Sequence, residues 1–333
     1  DDVEISAVSK PEPYDSLLSV YIQSFPDHFF IWPVLKQRSL NFEMNSLSED
    51  KSLTYRSNKP FSFGVGMYLF ELGVELTFAI PADEKNKMIY GESDARDLQL
   101  NIIGKKWGGD LYVQKYSGFY IEDQDKNIAP GMPYDQRDDI DTRNFGAAIN
   151  YTFNNQKFSF RSAYNFADRQ LRSAGSFLLF GALNSFKVTA DSAIIGKDFE
   201  SQYGKAAFVK TVTTTSLSIA PGYTYSVIYK GFFLNGTLAL GPAHNWLYYE
   251  REDGSTKNDI RFNAYVAARI GIGYNGEHVF GGVTFVNQTR NAKFEELELT
   301  SSFGTFKILI GYRFRESGIL KKRIWDFPAE LLR

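Results

Sequence analysis

Hydrophobic and polar residues alternate along most of this chain with a period of two, which predicts strands with one apolar and one polar face. The stretch Phe303 to Phe314 shows it most fully. Phe306, Ile308, Ile310, Tyr312 and Phe314 fall on one face, while Thr305, Lys307, Leu309, Gly311 and Arg313 fall on the other. A soluble sandwich strand alternates too. This one is long, ends in Gly-Tyr-x-Phe and turns two basic residues away from its apolar face. That arrangement suits the closing strand of a transmembrane β-barrel, with lipid outside, a polar lumen inside and an aromatic girdle at the rim.

The same period recurs upstream. Leu40, Phe42 and Met44 alternate with Asn41, Glu43 and Asn45, and Leu72, Val74, Leu76, Phe78 and Ile80 with Gly73, Glu75, Thr77 and Ala79. Phe145 to Phe153, Phe158 to Phe166 and Phe262 to Ile272 continue it. A strand of ~12 residues is ~40 Å long and, tilted by ~40°, still rises ~30 Å, enough for an apolar band of ~25 Å. Soluble strands average about half that length. Short connections, such as Asn154-Asn155-Gln156 and Tyr229-Lys230-Gly231, alternate in places with long polar ones at 81–96, 123–142, 249–258 and 288–302. The strands number about thirteen, whereas a single-chain bacterial barrel has an even count. The reading is therefore twelve to fourteen, with fourteen favoured if 203–211 holds a further strand. Residues 1–35 carry Pro11, Pro13, Pro26 and Pro33 and an irregular aromatic cluster, and are expected to form a periplasmic arm or a plug. Residues 36–314 form the predicted barrel, and 315–333 a periplasmic extension.

Composition narrows the class. Aromatic residues make up 16%, with 29 Phe and 20 Tyr among 333 residues, and mean hydropathy is -0.29. No apolar run approaches the ~20 residues of a spanning helix, so any crossing is made by strands. A net charge of -2 lacks the basic footprint of a nucleic-acid partner. The absence of cysteine excludes disulfides, thiolate metal sites, a cysteine nucleophile and a lipidated cysteine. A start at Asp1 without a leader fits a mature chain whose signal peptide has been cleaved, and hence a bacterial outer-membrane location.

Strand parity selects the candidate site. With the apolar faces turned outward, Glu43, Glu75, Arg161, Arg261, Arg269, Lys307 and Arg313 point into the lumen. One reading is a water-filled pore whose basic wall favours anions; the other is a closed barrel whose charges pair across the lumen. Arg169 and Arg172, three apart in Asp168–Gly175, suggest an anion or headgroup site, or else a turn whose arginines bond to nearby carbonyls. In the tail, Lys321, Lys322 and Arg323 beside Trp325 and Phe327 suit a membrane surface, a protein partner or a cap under the barrel. The aspartates of 123–142 lack EF-hand spacing and read as a solvated outer loop; no metal or other cofactor is expected. Of three histidines only His244, near Trp246, Tyr248 and Glu250, is placed for chemistry, and an interfacial histidine among aromatics reads more simply as a headgroup anchor.

The segments YSGFYIED (116–123), KFSFRSAYNFADRQLRSAGSFLLFG (157–181), ADSAIIG (190–196) and GYNGEHVFGGVTF (273–285) resemble an uncharacterised family of Bacteroidota outer-membrane β-barrels that carries a domain-of-unknown-function label. The resemblance covers most of the chain after residue 20. It implies an outer-membrane barrel and supplies no activity. The leading functional expectation is a non-enzymatic, porin-like barrel for small polar solutes. The second is an accessory subunit of a larger outer-membrane complex, held by lipids and by proteins contacting 1–35 and 315–333. A lipid-modifying or proteolytic barrel that needs His244 is the third. A soluble β-sandwich is the alternative fold.

Overall fold

A computed structural model describes residues 20–315, apart from 59–60 and 70–71. The candidate contacts Lys321, Lys322, Arg323, Trp325 and Phe327 lie outside the described residues, as do 1–19 of the arm. Ten strands close an antiparallel ring: β2 (His28–Ser46), β3 (Ser52–Arg56), β7 (Trp107–Asp123), β8 (Asp135–Thr152), β10 (Ala174–Thr189), β11 (Val209–Tyr229), β12 (Phe232–Arg251), β13 (Thr256–Asn275), β14 (Val279–Phe294) and β15 (Leu297–Arg315). β15 returns to β2, Leu297 opposite Ser46 and Arg315 opposite His28. The first barrel strand thus begins at His28, inside the segment read as an arm.

Three further strands of the same sheet lie off this ring. β3 covers only the upper part of β2, from Asn41 to Asn45. Below it β2 pairs with β4 (Ser62–Leu69), which pairs with β5 (Leu72–Ala79). β6 (Asp94–Ile103) pairs with the lower part of β7. Helix α1 (Glu84–Tyr90) joins β5 to β6; the Asp83 side chain accepts from the Asn86 N–H at its start. Ten ring strands with three beside them replace the expected twelve to fourteen.

Apart from β3, the ring strands run 16 to 21 residues. At ~3.3 Å per residue and a tilt of ~40°, twenty residues rise ~50 Å, about twice an apolar band of ~25 Å. The outward residues record the difference. On β15, Ile308, Ile310, Tyr312 and Phe314 are exposed near the end that carries the start of β2, while Glu298, Thr300 and Ser302 take their place farther up. On β12, Phe232, Leu234, Leu238 and Leu240 are exposed below, and Tyr248 and Glu250 follow above. An apolar belt therefore wraps the lower tier only.

In the upper tier the polarity is reversed: polar residues face out and apolar ones pack inside. Leu40, Phe42 and Met44 are buried within the ring, and Glu43 lies on its outside. Glu43 is not a lumen charge. Parity along β2 is unbroken, but the tier it enters has its apolar face inward. Phe42 meets Phe186 from across the ring at 6.2 Å, and Phe186 meets Phe303 at 5.8 Å. The connection between β10 and β11 folds into this space through α3 (Glu200–Tyr203) and flanking 3₁₀ turns, and buries Ile194, Ile195, Tyr203, Ala206 and Ala207. No strand occupies 203–208.

Residues 157–166, which alternate like a strand, instead plug the lower tier. Phe160, at the N-cap of the single turn α2 (Arg161–Tyr164), and Tyr164, at its end, stack at 5.2 Å. A strand β9 (Asp168–Gln170) then pairs with β1 (Ile22–Ser24). The plug packs Phe158, Phe160, Tyr164 and Phe166 against Trp32, Phe180, Phe233 and Phe280 of the wall.

Candidate functional site

The lumen holds four of the charges that strand parity points to, Glu75, Arg269, Lys307 and Arg313, and the structure gives each a partner. Glu75 accepts from Lys36 at 2.8 Å and Lys307 at 3.2 Å, and from the Trp32 indole at 3.2 Å. The Trp32 ring reaches this place because it lies over Gly66, where a Cβ would come within 2.1 Å of it. Arg269 pairs with Asp110 at 3.0 Å and sits over the Phe160, Tyr164 and Phe180 rings. Lys307 also reaches the Tyr164 carbonyl of the plug at 3.4 Å.

Arg313 is fully buried. Its guanidinium donates to the Gly276 carbonyl at 2.6 Å, the Phe166 carbonyl at 2.7 Å and Asn275 Oδ1 at 2.7 Å. The Phe25, Phe30 and Phe280 rings enclose it at 4.1, 5.0 and 4.7 Å. One side chain thereby joins the closing strand, the β13–β14 turn, the plug and the segment before β2.

Besides Glu43, two of the parity assignments change. Arg161 belongs to the plug, where it pairs with Asp168 at 3.3 Å and donates to the Tyr68 hydroxyl at 3.3 Å. It points into the lumen from a turn, since no strand runs there. Arg261 shares the face of Arg269, but β14 no longer pairs with β13 at its level. It is exposed near the upper rim and bonded to Asp259 at 2.7 Å. Arg169 and Arg172 do not converge on one site. Arg169 faces Glu277 at 3.8 Å and Gln23 at 3.4 Å, while Arg172 lies over the Tyr21 ring at 5.9 Å.

Several interior groups escaped the sequence reading. Between the plug and the upper core runs a chain of hydrogen bonds that crosses five strands. Asn184 donates to Asn144 at 2.7 Å, Asn144 to Gln114 at 2.6 Å and Gln114 to Asp97 at 2.9 Å, and Arg38 closes on Asp97 at 2.9 Å. Asp97 and Gln99 alternate with Leu98, Leu100 and Ile102, so parity was the signal that would have found Asp97. Tyr112 crosses the lumen over Gly146, where a Cβ would fall 2.2 Å from its ring.

His244 points outward, its ring edge-on to Trp246 at 4.4 Å and Phe262 at 4.8 Å. Within 123–142, Lys126 engages Asp135 at 2.6 Å and Arg137 engages Asp139 at 2.7 Å. A cleft of about 640 Å³ opens at the upper end between α1 and β7, lined by Glu84, Lys87, Glu92, Gln136 and Asp138 among others. There a hydrogen bond to Glu92 and the charge of Glu84 raise the Lys87 ammonium above its ordinary range.

The pair in the wall makes a prediction. Arg269→Ala leaves Asp110 buried and uncompensated and is expected to cost about 3–5 kcal/mol. Adding Asp110→Asn should recover part of that. The temperature at which folded barrel is lost on unheated-versus-heated gel electrophoresis measures both; equal loss in the single and double variants would contradict the pairing.

Among solved structures, the Ail attachment invasion locus protein of Yersinia pestis is 14% identical, with 63% of this chain and 97% of Ail covered at a TM-score of 0.23. The translocator domain of the autotransporter NalP from Neisseria meningitidis is 8% identical, with 86% and 88% covered at 0.31. OmpT of Vibrio cholerae is 8% identical, with 86% and 97% covered at 0.28. These likenesses carry no role over to this chain, and nothing of their sites is transferred. No curated protein matches the chain. One family does match, over residues 13–314, so nearly the whole barrel takes part in the match; the chain belongs to the family described as "Domain of unknown function (DUF4421)".

Proposed function

We propose that this protein is a bacterial outer-membrane barrel, exported with a cleaved signal peptide, that serves as an accessory subunit of a larger outer-membrane assembly. It works through its wall and its end faces. The observation that carries this reading is the pair of apolar seals stacked in the lumen, the plug below and the aromatic core with its inserted loop above. The charges between them are matched to one another, as in Lys36–Glu75–Lys307 and Arg269–Asp110, whereas a selective pore presents unpaired rings of charge to water. Partners would meet the chain at its ends, including Lys321, Lys322, Arg323, Trp325 and Phe327. No catalysis is assigned, because the rings beside His244 supply no acid or nucleophile.

The porin-like reading is the second. It is favoured by the polar chain from Asn184 to Arg38, and it requires both seals to move. The test is reconstitution of the intact protein in a planar bilayer, together with its mass after gentle detergent extraction. Bare-lipid conductance and a mass above one 37.9 kDa chain are expected. Steady conductance steps would establish the porin reading instead, and a lone chain would sink the assembly.

A further inference from the structure

Below β3 the barrel wall ends in two free strand edges. Among the described residues, β5 pairs only with β4, β6 pairs only with β7, and no ladder joins β5 to β6. Both strands lie at the level of the apolar belt, where Val74, Leu76 and Phe78 on one and Leu98, Leu100 and Ile102 on the other point outward and are exposed. Hydrocarbon cannot satisfy the N–H and C=O groups of such edges, so the gap between them has to hold polar matter.

The inner side of the gap is charged. Glu75 is the inward residue of β5 and is held by Lys36 and Lys307. Asp97 is the inward residue of β6 and is held by Arg38. Three cations face two carboxylates, an excess of one positive charge. Arg38 Nε is buried without a hydrogen-bond partner. An occupant that suits these groups carries a negative charge and acceptor oxygens at one end, for the edge N–H groups and the cations, and an apolar remainder that lies in the bilayer.

We propose that the β5–β6 gap is a lateral binding site for an anionic lipid of the surrounding bilayer. The headgroup phosphate sits between the two edges, facing Arg38, Lys36 and Lys307. The acyl chains run along Phe78 and Leu98 outside. The site needs only that the apolar belt lies in a membrane, so it is independent of whether the barrel conducts or joins an assembly.

Trp32 reports on the site, since its indole donates to Glu75 behind the gap. Replacing the other three tryptophans (Trp107→Phe, Trp246→Phe, Trp325→Phe) leaves it as the single fluorophore. The full chain is then reconstituted in phosphatidylcholine vesicles containing an equal fraction of chain-brominated phosphatidylglycerol or chain-brominated phosphatidylcholine. A lysine near a membrane favours an anionic lipid by about 1 kcal/mol, about fivefold, so the glycerol lipid is expected to quench Trp32 about twofold more or better. Lys36→Gln with Lys307→Gln should abolish the preference. Equal quenching by the two lipids overturns the proposal without recourse to the charge variants, and is the outcome if β5 and β6 pair with each other or with a foreign strand. A preference that survives both lysine substitutions overturns it as well, since ordinary boundary lipid would explain it.

Discussion

Arg313→Ala is expected to lower the stability of the barrel by about 3–5 kcal/mol, the range for removing one member of a buried charged network. The guanidinium makes three hydrogen bonds of 2.6 to 2.7 Å to groups that have no water to fall back on. Each bond to a charged group is worth about 1.5–3 kcal/mol. The desolvation of the guanidinium itself offsets part of their sum. Its removal also leaves a void between Phe25, Phe30 and Phe280. Arg313→Met fills that void without charge and should cost less than alanine; Arg313→Lys keeps the charge but loses the fork and should fall between. Arg315→Ala, two residues on and exposed, is the control and should change nothing. The loss of the compact, fast-migrating form on gels against temperature ranks the four. An alanine variant as resistant as the parent would show that the plug is held without Arg313.

Excising the plug is expected to cost stability and still give no pore. Asn154 Nδ2 donates to the Gly175 carbonyl at 2.8 Å, so β8 and β10 are already close enough for a two-residue turn to replace 157–171. The deletion removes the buried aromatics Phe158, Phe160, Tyr164 and Phe166. At about 1.5–3 kcal/mol for each large apolar side chain, the burial lost is on the order of 6–12 kcal/mol. The upper seal is untouched, because Phe42, Phe186 and Phe303 meet above the plug. Phe186→Ala, at a fully buried position, should by itself cost about 3–5 kcal/mol and leave the lower seal shut. Planar-bilayer recordings of the two variants decide the point. Conductance in either one would mean that the seals do not act in series.

Much of the wall was legible in the sequence, because alternation is a local property. The readings of Glu43 and Arg161 went astray, each for its own reason. Glu43 and its neighbours alternate as faithfully as the residues of β15, but parity gives two faces and does not say which is inside. In the lower tier lipid takes the apolar face. In the upper tier water is outside, and the apolar face turns in. Arg161 failed differently. Phe158, Phe160, Tyr164 and Phe166 keep an even spacing that a strand and a folded plug share, and only partners far along the chain choose between them. Asn275 donates to the Ser162 and Asp168 carbonyls, and Arg313 to that of Phe166.

The alternation is enough to read the all-β class and to set Val74, Ile149, Ile270 and Ile310 on one face and Glu75, Arg269, Lys307 and Arg313 on the other. Each of these follows from the two-residue repeat of an extended backbone. The tertiary structure alone decided that ten strands close the ring, that β5 and β6 leave two edges free, that the lumen is sealed at two levels, and which acid answers each base. Those features depend on pairings between segments far apart in the chain, as in Arg315 opposite His28 in the ring and Lys307 with Glu75 in the lumen. A local pattern carries no record of which distant strand will stand opposite.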